Sequence, residues 1–328
     1  MRFILFLLVG VALAAGTRAA EPAARCLRSP TAAPTLARLR DALAQARFVA
    51  YQPTSLVVID GRVTPATPEG MRADLTLLRR HFDALITYDA IHGLEQVAPL
   101  AASLNYRALI IGVWNPFAPA EVSAALEAAR RFPRLVVGLS LGNEMIFSHR
   151  SDATQLAAIV QRVHGEAPSL PLSTSEPFHI YETPAAQPLL GSLDFLLANV
   201  HPVFQPWFRE ATERTAAQFV VNVVGQLEAR YCGPLLVKET GEPTAPAAEG
   251  YSAARQAAFY GELRHLLPPS PQHAFAYFVA FDAPWRAQDA TGVPGAHPSE
   301  AYWGLLDEKR RPKPALDQLP PLAQDQRR

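Results

Sequence analysis

The sequence predicts a single-domain (β/α)8 TIM barrel of the α/β class, on three observations. Eight short apolar runs alternate with segments of helical periodicity. Most of the runs are continuously apolar, as in parallel strands covered by helices on both faces. No GxGxxG or GxxxxGKS/T loop follows an early strand, as an open doubly wound sheet would usually carry.

The chain has 328 residues, enough for one barrel-sized domain, and its 49% hydrophobic content allows a large core. The runs are Phe48–Tyr51, Ala84–Tyr88, Ala108–Val113, Leu135–Leu141, Leu170–Thr174, Phe195–Val200, Leu235–Lys238 and Ala274–Phe281. In the first connection, Leu56–Ile59 and Arg62–Val63 flank Asp60-Gly61, a hairpin-turn dipeptide. That hairpin either lines a cleft at the rim or decorates the edge. Met71, Leu75, Leu78 and Phe82 share one helix face. So do Leu156, Ile159, Val160 and Val163, behind a candidate N-cap at Asp152. Val220, Val223, Val224 and Leu227 form a third stripe. All three read as core packing.

Arg2, the apolar run Phe3–Ala15 and the small residues after it read as an export signal over residues 1–20. The run is shorter than the ~20 apolar residues that span a bilayer. Residues 21–47 are expected to form an arm and a lead-in helix, 48–316 the barrel, and 317–328 a loose tail, with the looseness starting after Pro312. Export places the protein in the periplasm or outside the cell, with no membrane span once the signal is removed. The two cysteines, Cys26 and Cys232, leave a disulfide open but undecided. No CxxC pair or Cys/His cluster has metal spacing, so no metal and no cofactor are expected. The 30 basic and 30 acidic residues cancel to a formal charge of +0, with no basic stripe or acidic tail. That argues against nucleic acid and anionic membrane as partners.

Barrel sites form at the C-terminal ends of the strands, so the residues that follow each run are the candidates. In order they are Tyr51-Gln52-Pro53, Tyr88-Asp89, Trp114-Asn115, Gly142-Asn143-Glu144, Ser175-Glu176-Pro177-Phe178, His201-Pro202-Val203-Phe204, Glu239-Thr240-Gly241-Glu242 and Asp282-Ala283-Pro284-Trp285. Carboxylates, amides and aromatic faces in one ring suit a carbohydrate. Glycosidic cleavage with retention needs two carboxyls facing one bond, one protonated and one ionised. Glu144 and Glu239 follow the fourth and seventh runs, across the lumen from each other. Asn143 is placed to bind a sugar 2-OH. Tyr88, Trp114, Glu176, His201, Phe204, Glu242, Asp282 and Trp285 complete the candidate substrate-binding set. Glu176 and Glu242 either bind hydroxyls or face water. Phe147, Phe178, Trp207 and Trp303 are further stacking candidates. Lys238 is expected to turn away from Glu239, because strand neighbours alternate faces.

These residues resemble a known family. Leu141-Gly142-Asn143-Glu144 is similar to the acid/base motif of the clan A glycosidases. Val237-Lys238-Glu239-Thr240-Gly241-Glu242-Pro243-Thr244 resembles the nucleophile motif of glycoside hydrolase family 17, usually Glu-Thr-Gly-Trp-Pro-Ser. Asn199-Val200-His201-Pro202-Val203-Phe204 and Phe281-Asp282-Ala283-Pro284-Trp285-Arg286 resemble its sixth and eighth strand endings, the latter in bacterial members. The resemblance runs from about Phe48 to Leu316. It implies retaining hydrolysis or transfer on a β-glucan oligo- or polysaccharide, above all β-1,3-linked. Glu144 would be the acid/base, Glu239 the nucleophile and Asn143 the 2-OH binder. Two departures stand out: Glu242 replaces the usual Trp, and Ile86-Thr87-Tyr88 lacks the basic residue some clan members place near the nucleophile.

Two other readings compete. One is a glucan-binding barrel without turnover, accessory to polysaccharide metabolism. The other is a serine hydrolase, since Gly138-Leu139-Ser140-Leu141-Gly142 matches GxSxG and Asp282 and His297 follow in order. Against it, Ser140 lies inside an apolar run and Asn-Glu follows instead of a helix start.

Overall fold

The computed structural model describes residue 27, residues 36–288 and residues 297–322. The expected signal peptide, most of the arm, Cys26 and the last residues of the tail lie outside the described residues.

The strands in chain order are β1 (Phe48–Ala50), β2 (Val57–Ile59), β3 (Arg62–Thr64), β4 (Ala84–Ile86), β5 (Ala108–Val113), β6 (Val136–Asn143), β7 (Leu172–Pro177), β8 (Leu196–Asn199), β9 (Leu235–Glu239) and β10 (His273–Tyr277). Eight of them close a parallel barrel in the order β1-β4-β5-β6-β7-β8-β9-β10, as the (β/α)8 prediction requires. The closing register pairs Phe48 with Ala276 and Val49 with Tyr277.

The continuous hydrophobicity of the runs has a direct cause. Ala84, Ile86, Ala108 and Ile110 point into the lumen, while Leu85, Leu109 and Ile111 pack outward under the helices. Alternation persists, but both faces are buried. The helix Ala37–Gln45 lies across the floor against β6 and β10, burying Leu39, Ala42 and Leu43 with the lumen residues. The polar mouth is therefore left at the other end, where the strands finish.

Local signals set the outer ring. Thr67 caps the helix Pro68–Leu78 by accepting from Gly70 N–H. Asp152 caps Ala153–Glu166 in a capping box with Gln155. The stripe of Val220, Val223, Val224 and Leu227 is the buried face of Glu213–Glu228. The predicted hairpin forms between β2 and β3, with positive φ at both Asp60 (51°) and Gly61 (72°). It stands at the rim beside the short helix Pro284–Ala287.

Two boundaries differ most from the apolar runs. β7 continues through Ser173, Thr174, Ser175 and Glu176, because polar side chains at the mouth keep the ladder. β10 stops at Tyr277, because the residues after it pair with a later segment: Leu305 and Leu306 N–H donate to Val279 and Ala280 C=O.

The segment after Pro312 is not loose as expected. Lys313 binds Asp282, Leu316 is buried, and the carbonyls of Gln318 and Pro320 accept from Arg264 and Arg47. Cys232 is disulfide-bonded. Leu27 is held beside it, donating to Arg230 C=O and accepting from Cys232 N–H. Among the described residues no helix is long and apolar enough to cross a membrane.

Candidate active site

The fourth barrel strand, β6, ends in a backbone that few residues tolerate. Gly142 has φ +98°, and a Cβ there would meet Met145 Cγ at 2.6 Å. Glu144 itself has φ 52°. A non-glycine residue in this region is held there by its surroundings. The hold is visible: Glu144 N–H donates to Ser175 C=O at 2.7 Å. Its carboxylate Oε1 accepts from Asn199 Nδ2 at 2.9 Å, and Asn199 Oδ1 in turn accepts from Ser175 Oγ at 2.9 Å. Burial, and then the charge of Glu239, push the Glu144 carboxyl up; the Asn199 bond, His201 and Lys238 oppose that only in part.

Glu176 stands behind this turn. It is fully buried and accepts from the N–H groups of Ile146 (2.9 Å) and Phe147 (3.2 Å). Burial raises it to about 7. It does not face water, because its oxygens anchor the backbone that follows Glu144.

The seventh barrel strand, β9, carries the second carboxylate. The ladder pairs Ala198 with Val237 and then Asn199 with Glu239, leaving Lys238 as the extra residue of a bulge. The bulge breaks strict alternation. Lys238 Nζ donates to Glu239 Oε1 at 2.9 Å, which corrects the expectation that the two side chains part. Lys238 also hydrogen-bonds Asn143 Oδ1 and lies 4.1 Å from the centroid of the Tyr88 ring. His201 Nε2 is 3.6 Å from Glu239 Oε2. Burial pushes Glu239 up, but Lys238 and His201 outweigh it and pull the carboxyl down to about 2. Burial, and then the Glu239 charge, keep the Tyr88 phenol well above its ordinary range.

Aromatic surface borders both corners. The His201 ring lies 5.1 Å from Trp303, 5.2 Å from Phe278 and 5.5 Å from Phe204. Trp303 is buried, whereas Phe204 is 66% exposed. On the Glu144 side, Trp114 and Phe147 are exposed. The Arg150 guanidinium sits 4.8 Å from the Trp114 ring centroid and donates to Asn143 C=O at 2.6 Å.

Other candidates leave the cleft. Asp282 Oδ1 is taken by Gly304 N–H (2.8 Å) and Lys313 Nζ (2.7 Å), so it ties the C-terminal segment to the barrel instead of meeting a ligand. Glu242 is fully buried in the wall, 3.8 Å from Arg255, which Glu213 engages more closely at 2.7 Å. Burial raises Glu242 to about 7. Trp285 is half-buried and packs against the outer core. Ser140 lies inside β6, its hydroxyl donating to Gly142 C=O at 3.2 Å. Asp282, which the serine-hydrolase reading needs beside His297, is bound to Lys313 instead. Among the described residues no cluster of three or more His, Cys, Asp or Glu is arranged to hold a metal.

Two residues were not singled out from the sequence, Asn199 and Arg150, and Lys238 was expected to face away. A polar residue closing an otherwise apolar strand was the available signal for Asn199.

The protein-family model for the BtgE/BtgC glycoside hydrolase domain matches residues 49–304. The chain is similar to a probable beta-glucosidase btgE of Aspergillus terreus, 30% identical over 182 residues (53% of this chain, 30% of the relative). It is 27% identical over 226 residues to the Aspergillus flavus protein of the same name (66% of this chain, 35% of the relative). The chain thus spans about a third of the length of these curated relatives. Among solved structures, a glycoside hydrolase family 17 beta-1,3-glucanosyltransferase from Rhizomucor miehei superposes with TM-score 0.62 at 21% identity (82% of this chain, 95% of that one). An endo-laminarinase from Formosa Hel1_33_131 superposes with TM-score 0.65 at 17% identity (82% of this chain, 85% of that one). At these identities the structural likeness speaks for the fold.

Proposed function

This chain belongs to the BtgE/BtgC glycoside hydrolase domain family, and we propose that it is a retaining hydrolase or transglycosylase of β-1,3-linked glucan. In this reading Glu144 protonates the glycosidic oxygen while Glu239 attacks the anomeric carbon. The C–O bond breaks, the leaving sugar departs with the proton, and an ester forms on Glu239. Glu144, now ionised, takes a proton from water or from a sugar hydroxyl. That oxygen attacks the anomeric carbon and frees Glu239. The Asn143 amide meets the sugar 2-OH, and Phe204, Trp114 and Phe147 offer stacking faces.

The observation that carries the proposal is the divergence of the two carboxyls. Glu144 is pushed up by burial and Glu239 is drawn down to about 2 by its cations. An acid and an ionised carboxylate at the mouth of one barrel are what glycosidic cleavage needs, and the family 17 resemblance is what makes Glu239 the nucleophile of a retaining reaction. The β-1,3 linkage is supported by the family 17 resemblance and by the names of the fold neighbours. Export to the periplasm or beyond is supported by the leader-like residues 1–20.

The test is product analysis by mass spectrometry after incubation with β-1,3-gluco-oligosaccharides, with Glu239→Gln as control. Shorter products absent from the control support hydrolysis, and longer ones as well support transfer. Unchanged oligosaccharide overturns the β-1,3 assignment. An α-glycosyl azide from Glu144→Ala in azide would overturn retention.

A further inference from the structure

We propose that Lys238 is a positioning residue that serves both sides of the site, holding Glu239 as a carboxylate and fixing which face of the Asn143 amide meets the substrate. The inference rests on the reading of Glu239 as nucleophile and goes beyond it.

The geometry is specific. A bulge at Lys238 lets two consecutive β9 side chains meet. The ammonium is buried, 1% exposed, and reaches three strand ends at once. It contacts Glu239 on its own strand, Asn143 at the end of β6 and the Tyr88 ring after β4. An ammonium only donates. Asn143 must therefore turn Oδ1 toward it, leaving the NH2 group as the free end, a donor suited to a sugar hydroxyl oxygen.

The charge argument follows from the other groups that face Glu239. These are Glu144 from β6, Tyr88 from β4 and His201 from β8. Glu144 repels a charge on Glu239, and Tyr88 carries none at neutral pH. Arg286 acts on Tyr88, from farther out at the rim. Burial pushes the Lys238 ammonium down, and the charge and hydrogen bond of Glu239 push it back up. Lys238 is thus the cation in direct hydrogen-bond contact with the nucleophile, with His201 farther off. It stands where Thr87 and Tyr88 of the second barrel strand supply no basic group.

The test is the pH dependence of kcat/KM on laminarihexaose for the wild type, Lys238→Gln and Lys238→Arg, with thermal melts to confirm folding. In the wild type the acid limb, which reports ionisation of Glu239, is expected below pH 4. In Lys238→Gln it should move up by about 1–3 pH units. Lys238→Arg should keep it low whatever rate is lost. A 2-deoxy substrate should cost the wild type more than Lys238→Gln, because the glutamine no longer dictates the Asn143 orientation. An unmoved acid limb in folded Lys238→Gln overturns the inference. If that variant does not fold, a wild-type acid limb at or above pH 4.5 overturns it. These outcomes are separable from failure of the underlying reading. A wild type that neither cleaves the substrate nor is labelled at Glu239 by a 2-deoxy-2-fluoroglucosyl fluoride removes the nucleophile itself. An active wild type with an unmoved limb removes only the role of Lys238.

Discussion

The Glu144 corner and the Glu239 corner hold the same kind of side chain at the mouth of the same barrel, yet they are built from different materials. Around Glu144 the partners are neutral or share its sign: the Asn199 amide, the Ser175 carbonyl on its N–H, and Glu176 behind the turn. Around Glu239 they are basic: Lys238 at 2.9 Å and His201 at 3.6 Å. Both carboxyls lose water to burial, which favours their neutral forms. At Glu144 the Asn199 bond, and after it the more distant His201 and Lys238, only soften that push, while the same two cations, in closer contact, reverse it at Glu239. The backbone differs too, with a left-handed residue at one corner and a bulge at the other. Position in the barrel makes each a candidate; the neighbours decide which keeps its proton.

The sharpest way to break this comparison is to exchange each carboxyl for its amide. Glu239→Gln is expected to drop turnover of β-1,3-gluco-oligosaccharides to background while circular dichroism stays that of the folded protein. Turnover near the wild-type level would mean the cationic corner holds no nucleophile. Glu144→Gln should lose about 10²–10⁴-fold on the same oligosaccharides. On an aryl β-glucoside with a good leaving group, which needs no acid, it should instead release a rapid burst of phenol and then slow. A burst of equal size from Glu239→Gln would erase the distinction between the corners.

The readable part of this site is the part that backbone periodicity governs. Eight apolar runs located the eight strands, and their ends located Glu144 and Glu239. What lay hidden depends on departures from periodicity. Alternation assigned Lys238 to the far face, and only the bulge brings it to Glu239. Asn199 closes an apolar run, but its role exists only because β6 and β7 bring Glu144 and Ser175 beside it. The carboxylates of Glu176, Glu242 and Asp282 were equally placed by sequence. Backbone amides, the wall beside Arg255 and Lys313 claim them respectively, contacts that form only after the chain has closed. The charged segment after Pro312 reads as a tail, yet Lys313 and Leu316 dock it.

A subtler change sharpens the comparison from the neutral side. Asn199 donates to the ionised form of Glu144, so it lowers that carboxyl against the upward push of burial. Asn199→Ala should therefore raise Glu144 further and move the basic limb of kcat/KM to higher pH, by about one unit for a hydrogen bond to a charged group. The rate at the optimum should fall as well, since the carboxyl loses its tether. A basic limb that moves down would show that the amide stabilises the acid form, and the contrast between the corners would fail.

The smallest effect comes from a third buried carboxyl, which serves as a control for both. Glu242 is as buried as Glu239 and three residues away, but its nearest cation, Arg255, is 3.8 Å off and engaged by Glu213. Its folded value is raised from 4.5 to about 7. Between those two pH values the folded protein binds more protons at this site than the unfolded chain. Its contribution to stability is therefore complete below about pH 4.5 and lost as pH rises through 7. The loss is on the order of 3 kcal/mol. Glu239 runs the other way: drawn down to about 2, its contribution is present above the unfolded value and lost as pH falls toward 2. Glu176, also raised to about 7, shares the high-pH loss, so removing one carboxyl should remove only its own share. Glu242→Gln keeps the shape and deletes the charge. Its melting temperature should fall less between pH 5 and pH 8 than that of the wild type, by a few degrees. A variant that tracks the wild type across that interval would mean Arg255 already holds Glu242 ionised, and that distance to the cation is not what separates this carboxyl from Glu239.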